Sequence, residues 1–213
     1  ITTSNSEVIK PKNSFKANQI KLAALQRQLS RKVLFSQNWK KQNSKNQKLH
    51  HHIANIRHDY LHKITTTISK NHAMIACEDL KVANMSKSAS GSVEKKGKNV
   101  KAKSGLNKSI LDQGWGMMVN MLEYKQQWQG GLLIKVNPRY TSQTCFECKH
   151  IAKENRQTQA KFECVQCGHK ANADVNAAKN ILAAGHAVLS AEGGCGKGRP
   201  LKQKTCDIRE KVA

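Results

Sequence analysis

Two cysteine pairs and the segment that follows them carry the clearest chemistry of the chain. Cys145 and Cys148 form one CxxC pair and Cys164 and Cys167 another, with fifteen residues between the pairs. Two residues between cysteines let both thiolates of one turn reach a single ion. Two such turns close a tetrahedral Zn²⁺ site with bonds of about 2.3 Å. Four thiolates leave no open position, so the predicted Zn²⁺ is structural; the alternative is four unmetallated thiols. Gly168 follows the second pair, as a knuckle turn prefers, whereas Lys149 holds the equivalent place after the first and fits less well. His150 and His169 lie beside the ligands and are not needed.

Two carboxylates are the candidates for reaction chemistry. Asp174 lies seven residues past Cys167, in the run Asn172-Ala173-Asp174-Val175-Asn176-Ala177-Ala178. Glu78, with Asp79 beside it, follows the apolar run Ala73-Met74-Ile75-Ala76-Cys77. Two-metal phosphodiester hydrolysis needs carboxylates converging on ions about 3.5–4 Å apart. Hard oxygen ligands suit Mg²⁺ or Mn²⁺. On the residues alone other readings stay open: Asp174 as a helix N-cap, Glu78 as an exposed strand-end residue.

These groups need elements to hold them. Residues 73–77 read as a strand buried on both faces, with Glu78 at its carboxyl end, where α/β sheets collect their sites. Leu132-Leu133-Ile134-Lys135-Val136 reads as a second strand, stopped by Pro138. A short strand pair is expected over residues 1–10. Leu22, Leu25, Leu29 and Val33 step at helical spacing, and Leu49, Ile53, Ile56, Tyr60, Ile64 and Ile68 do so over about twenty residues. These predict a basic antiparallel helix pair joined through a polar junction at 36–46. Residues 86–108, rich in Ser, Gly and Lys, read as a mobile loop. Trp115, Met118, Val119 and Leu122 mark a further helix, and another is expected from Asp174 to Ala184. Cys77 is expected to pack as a small apolar residue.

The charge balance narrows the partner. The chain of 213 residues has 37 basic and 14 acidic residues, a net +23. Residues 1–110 hold 22 Lys and Arg against 5 Asp and Glu, so the first half is the better phosphate-binding surface. Such an excess implies a polyanion, and nucleic acid is the usual one. Trp39, Trp115, Trp128, Tyr124 and Tyr140 could stack on bases, although core packing suits Trp115 and Tyr124 better. His50-His51-His52 reads as a solvated helix face, because adjacent helical positions point apart. No run of about 18 apolar residues occurs, so no membrane partner is expected. The unpaired cysteine count argues for a reducing compartment. The start at Ile1, without Met, suggests a piece of a longer protein.

The motifs resemble one family. Arg57-His58-Asp59-Tyr60-Leu61-His62-Lys63, Ala76-Cys77-Glu78-Asp79-Leu80-Lys81-Val82-Ala83-Asn84-Met85, Leu122-Glu123-Tyr124-Lys125, Tyr140-Thr141-Ser142-Gln143-Thr144-Cys145 and Ala173-Asp174-Val175-Asn176-Ala177-Ala178-Lys179-Asn180-Ile181 look like the TnpB (OrfB) proteins of bacterial insertion sequences. That family is similar to type V CRISPR effectors. The resemblance implies an α/β, RNase H-like (RuvC-type) nuclease domain with a zinc-ribbon insert, the target nucleic-acid-binding domain. It implies an RNA-guided DNA endonuclease with three acids on Mg²⁺ or Mn²⁺, and by motif it maps the second acid onto Glu78 and the third onto Asp174. The first acid is expected on a strand just before Ile1, so the chain is read as N-terminally truncated and inactive alone.

The expected segments are a partial RuvC-like domain with the helix pair over 1–115, the zinc-ribbon region over 116–185, and a disordered basic tail over 186–213. The partners implied are DNA and a guide RNA, in the bacterial cytoplasm at the nucleoid. Two other functions stay open: a non-catalytic zinc-ribbon fragment that binds nucleic acid, and a DNA-joining transposase.

Overall fold

The computed structural model describes residues 1–92 and 94–193. Its first feature is a helical hairpin, α1 (Ser14–Ser30) and α2 (Gln37–Asn71). Leu22 of α1 is buried against Leu49 and Ile53 of α2, with Phe15 and Leu25 packed around them. The Gln42 side chain donates to the Leu25 carbonyl at 3.3 Å and to Gln28 at 3.0 Å. Position rises along one helix as it falls along the other, so the pair is antiparallel, as the periodicity predicts.

Residues 37–46 are not a junction but the first turns of α2. Their few apolar side chains hid a helix whose inward positions are the polar Gln42 and Asn46, both buried. Ser36 starts the helix by accepting from the Trp39 N–H at 3.1 Å.

The segment read as a mobile loop also differs. Its last part, from Val100 on, belongs to helix α4 (Val100–Gln113), and a short helix α3 (Val82–Met85) precedes it. Helix α4 buries only Ile110 and Asp112, so it shows no apolar stripe. Polar contacts hold it instead: Lys103 Nζ donates to the Met85 carbonyl at 2.6 Å and Asn107 to that of Ser86 at 2.8 Å. Asp112 supplies the cap that α1 lacks. Its carboxylate accepts from the Phe15 N–H at 3.0 Å and from Ser14 Oγ at 3.1 Å, with Arg57 at 3.4 Å. A negative charge on exposed helix N–H groups is favourable.

Strands β1 (Met74–Glu78) and β2 (Leu132–Val136) pair in parallel, Met74 opposite Leu132 and Glu78 opposite Val136. Helix α5 (Trp115–Gln129) leads into β2 and packs on α2, and α6 (Ala173–Gly193) packs on both strands. Gly185 of α6 lies so near the sheet that a Cβ there would meet Ala76 Cβ at 2.6 Å. The β1 strand is half-buried along its length and not buried on both faces, and among the described residues β2 is its one strand neighbour, which leaves its other edge without a paired strand. The expected strand pair at 1–10 is reduced to a bridge between Thr2 and Val8.

Between β2 and α6 lies a small ribbon. Strands β3 (Lys161–Glu163) and β4 (Lys170–Asn172) pair antiparallel. Its core is Cys145, Phe162, Cys164 and Ala173. Four side chains are too few to hold such a unit without a staple. The final helix continues to Gly193, past the expected Ala184, so residues 186–193 are helical and not part of a disordered tail. The remainder of that expected tail lies outside the described residues. Among the described residues no helix is long and apolar enough to cross a membrane.

Candidate functional site

The two CxxC turns are built alike. Cys145 N–H donates to the His150 carbonyl at 2.9 Å, and Lys149 N–H returns to the Cys145 carbonyl at 3.0 Å. Cys164 N–H donates to the His169 carbonyl at 2.9 Å, and Gly168 N–H returns to the Cys164 carbonyl at 3.0 Å. The turns require a left-handed residue, met by Lys149 at φ +63° and Gly168 at φ +72°. Lysine therefore accepts the strain that glycine avoids. Its ammonium donates to the Phe146 carbonyl at 2.6 Å and sits 4.3 Å from the Phe146 ring centre, contacts that hold the turn.

All four sulfurs lie within 4.8 Å of one another. Cys145 Sγ is 3.7 Å from Cys167 Sγ, and Cys148 Sγ is 3.5 Å from Cys164 Sγ. Bonds of 2.3 Å in a tetrahedron would set the sulfurs about 3.8 Å apart, so the donor set fits Zn²⁺. Burial opposes ionisation of Cys164, but hydrogen bonds from the N–H groups of Cys167 and Gln166 and from the Cys148 and Cys167 thiols together bring that thiol down to about 6. Burial raises Cys145. The cluster can hold a metal such as zinc.

The knuckle is tied to α6 by two asparagines. Asn176, fully buried, accepts from the Phe146 N–H at 3.0 Å and donates to the Thr144 carbonyl at 2.8 Å. Asn180, one turn later, donates to the same carbonyl at 2.7 Å and to that of Thr141 at 3.1 Å. Thr141 completes the connection, because its hydroxyl donates to Glu78 Oε1 at 2.6 Å. Nothing in composition marks these three residues. All three lie inside motifs quoted for the resemblance, and Asn176 and Asn180 at i and i+4 on a helix leaving a knuckle are a further signal for the two asparagines.

Glu78 ends β1 and lines a cleft of about 340 Å³ with Cys77, Asp79, Trp115, Asn120 and Lys135. Burial raises the Cys77 thiol. Asp174 sits elsewhere, exposed in the first turn of α6 and paired with Arg156 at 3.2 Å. It does not cap that helix. Asn172 does, accepting from the Asp174 N–H at 3.0 Å and the Val175 N–H at 3.3 Å. Six helical residues, about 9 Å of rise, separate Asp174 from Asn180, which reaches the Glu78 side. Among the described residues, the cysteines are the one group of three or more candidate ligands whose donor atoms converge. His50, His51 and His52 are exposed and join no such group.

Residues 1–89 match the family described as "Probable transposase" (OrfB of the IS605 type), and residues 115–181 match the "Cas12f1-like, TNB domain" family. Two family models thus match the chain over separate parts of its length. One relative, the "Putative RNA-guided DNA endonuclease InsQ" of Escherichia coli (strain K12), is 62% identical over 212 residues, which cover 100% of this chain and 53% of the relative. A like-named protein of Streptomyces pristinaespiralis is 32% identical, over 100% of this chain and 48% of its own length. The CRISPR-associated endodeoxyribonuclease Cas12f1 of Sulfoacidibacillus thermotolerans is 53% identical over 58 residues, 27% of this chain and 14% of the relative. The chain thus spans about half the length of the first two. In fold it resembles a chain of the Cas12f1–sgRNA–target DNA complex solved by cryo-electron microscopy, with a TM-score of 0.52 at 23% identity, covering 81% of this chain and 42% of that one.

Proposed function

We propose that this chain is the zinc-braced, acid-bearing part of an RNA-guided DNA endonuclease with an RNase H-like (RuvC-type) nuclease fold. The observation that carries the reading is the hydrogen-bonded line from the knuckle through Asn176, Asn180 and Thr141 to Glu78. A closed four-thiolate site does no chemistry of its own, and this one braces the loop that touches a cleft carboxylate. The names of the two long relatives supply the reaction class.

In this reading Glu78 and Asp174 are carboxylate ligands of catalytic Mg²⁺ or Mn²⁺. The divalent ions, when bound, supply activation of water and charge stabilisation at the leaving oxygen. Thr141 fixes the direction in which Glu78 presents its carboxylate. Asp174 would be the second carboxylate to hold such an ion, and its exposed pair with Arg156 is of a weak kind. The lysines and arginines of α1 and α2 hold backbone phosphates of RNA and DNA without reading sequence, and base pairing to the guide supplies specificity. The protein acts where its substrate lies, at the bacterial nucleoid.

The Asp174–Arg156 pair and the absence of a converging acid cluster among the described residues favour a second reading, in which the chain binds nucleic acid without cutting it. Iron mapping separates the two. Fe²⁺ replaces Mg²⁺ at hard-ligand sites, and with ascorbate it breaks nearby backbone. The nuclease reading expects breaks close to residues 78 and 174 of the nucleic-acid complex, suppressed by excess Mg²⁺ and lost in Glu78→Gln. Breaks at neither position would leave the binding reading alone.

A further inference from the structure

The tip of the α1–α2 hairpin is apolar, exposed and surrounded by positive charge. Val33, Leu34 and Phe35 are 79%, 62% and 69% exposed. The turn that presents them is defined: the Lys32 N–H donates to the Leu29 carbonyl at 3.0 Å, the Ser36 N–H to the Val33 carbonyl at 3.2 Å, and Ser36 caps α2. Phe35 adopts φ +61°, an uncommon conformation for an aromatic residue, and its ring meets Trp39 edge-on at 5.5 Å. The result is an exposed Phe35 ring set against the half-buried Trp39, on a turn whose Val33 and Leu34 are exposed as well.

The charge around the tip selects the partner. From Val8 to His58 the sequence has no Asp or Glu, and it has twelve Lys and Arg. Arg31, Lys32, Lys40 and Lys41 lie within the turn or the first turns beyond it, all exposed. A second copy of this hairpin would set like charges against each other, so self-association through the tip is disfavoured. Phosphates are favoured, and between phosphates lie bases with flat faces. Proteins place Phe, Leu and other apolar side chains against unstacked bases, while flanking cations hold the backbone. Duplex DNA keeps its bases stacked, whereas RNA loops and bulges leave theirs splayed.

We propose that the Val33-Leu34-Phe35 tip is a docking site for the unpaired bases of an RNA loop, with Phe35 as the stacking residue and Arg31, Lys32, Lys40 and Lys41 on the flanking phosphates. This deepens the nucleic-acid reading above and rests on it. It assigns the contact to a surface remote in sequence from the knuckle and from both acids.

The test uses the whole chain and three probes: an RNA hairpin with 2-aminopurine in its loop, a fully paired RNA duplex, and single-stranded DNA. Binding is followed by anisotropy against salt, and stacking by quenching of the 2-aminopurine. Wild type should bind the hairpin and quench its loop. Phe35→Ala should weaken hairpin binding about ten- to hundredfold, the range that losing one stacked base gives, and abolish the quenching. Duplex affinity and the salt slope should not change, and Phe35→Tyr should restore both hairpin signals. Exposure of the side chain makes loss of folding an unsuitable explanation, and unchanged circular dichroism checks that. Equal hairpin binding by Phe35→Ala and wild type overturns the proposal, as does an equal loss on the duplex or an effect confined to DNA. A dimer that Phe35→Ala dissolves assigns the tip to self-association, and Phe35-dependent binding only to phosphatidylserine vesicles assigns it to a lipid surface; either also overturns it. Failure of wild type to bind any of the three nucleic acids would overturn the function proposed above, a result distinct from a silent Phe35 variant.

Discussion

Thr141 Oγ1 donates a 2.6 Å hydrogen bond to Glu78 Oε1, joining the entrance of the cysteine ribbon to the end of β1. The same hydroxyl lies 3.1 Å from the Pro138 carbonyl. The loop from β2 to the first knuckle is therefore fixed at its carboxylate end by one side chain. Thr141→Val keeps the shape and removes the donor. A hydrogen bond to a charged acceptor is worth about 1.5–3 kcal/mol, and the variant should lose a stability in that range. Hydrogen exchange should quicken over residues 137–144, and Thr141→Ser should behave as wild type. An unchanged denaturation midpoint and exchange pattern in the valine variant would contradict the role assigned to Thr141.

Asn176 is the second fixed point. It uses both halves of its amide, accepting from Phe146 and donating to Thr144. Asn176→Asp keeps the acceptor but faces the Thr144 carbonyl with a second oxygen. Asn176→Ala leaves the Phe146 N–H without its partner, at about 1–3 kcal/mol, while the Thr144 carbonyl keeps Asn180. Both variants should release metal to a colorimetric chelator faster than wild type. Equal release rates for all three proteins would show that α6 does not support the knuckle.

The metal itself is the simplest test. Elemental analysis should find one zinc per chain, and Cys164→Ser should lose it. With only Cys145, Phe162, Cys164 and Ala173 at its centre, the ribbon should then loosen over residues 140–175. Zinc retained at wild-type level with an unchanged melting temperature would refute the four-ligand assignment.

These contacts show what could be read in the chain and what could not. The Leu49 and Ile53 steps of α2 and the apolar runs of β1 and β2 were legible because burial writes periodicity into sequence, but farther along α2 the buried face is Leu61, Thr65 and Ser69, and the expected Ile56, Tyr60, Ile64 and Ile68 are half-buried. The cysteine spacing was legible because tetrahedral thiolate binding permits few spacings. Helix α4 was not, because Asp112, Lys103 and Asn107 fix it through polar contacts to distant residues. The first turns of α2 were missed for the same reason at Gln42 and Asn46. The motif resemblance pointed to Glu78 and Asp174, but no sequence pattern could show that Asp174 rests on Arg156, or that Thr141 and not another acid reaches Glu78.

Lys125 offers a pH test of the frame. Its ammonium is buried and donates to the His62 carbonyl at 2.8 Å and to the Thr65 and Thr66 hydroxyls at 2.7 Å each. Burial lowers its pKa below the ordinary 10.5. Between the lowered folded value and 10.5 the unfolded chain binds more protons, so stability rises with pH across that window. Lys125→Met should remove the rise and be at least as stable near neutral pH, since both threonines keep carbonyl partners, at 2.7 Å from Leu61 and His62. A wild-type stability that stays flat or falls toward pH 10.5 relative to the methionine variant would show that the buried amine is not strained.

The most direct measurement is guided cutting. The whole endonuclease of which this chain is proposed to be a part is purified from cells carrying its own locus, with the RNA it brings along, and incubated with duplex DNA matching that RNA, with and without Mg²⁺. The account predicts Mg²⁺-dependent breaks in matching DNA only, absent in Glu78→Gln and in Asp174→Asn, both of which still retain the RNA. Breaks that persist in either variant, or joined strand-transfer products in place of breaks, would contradict it.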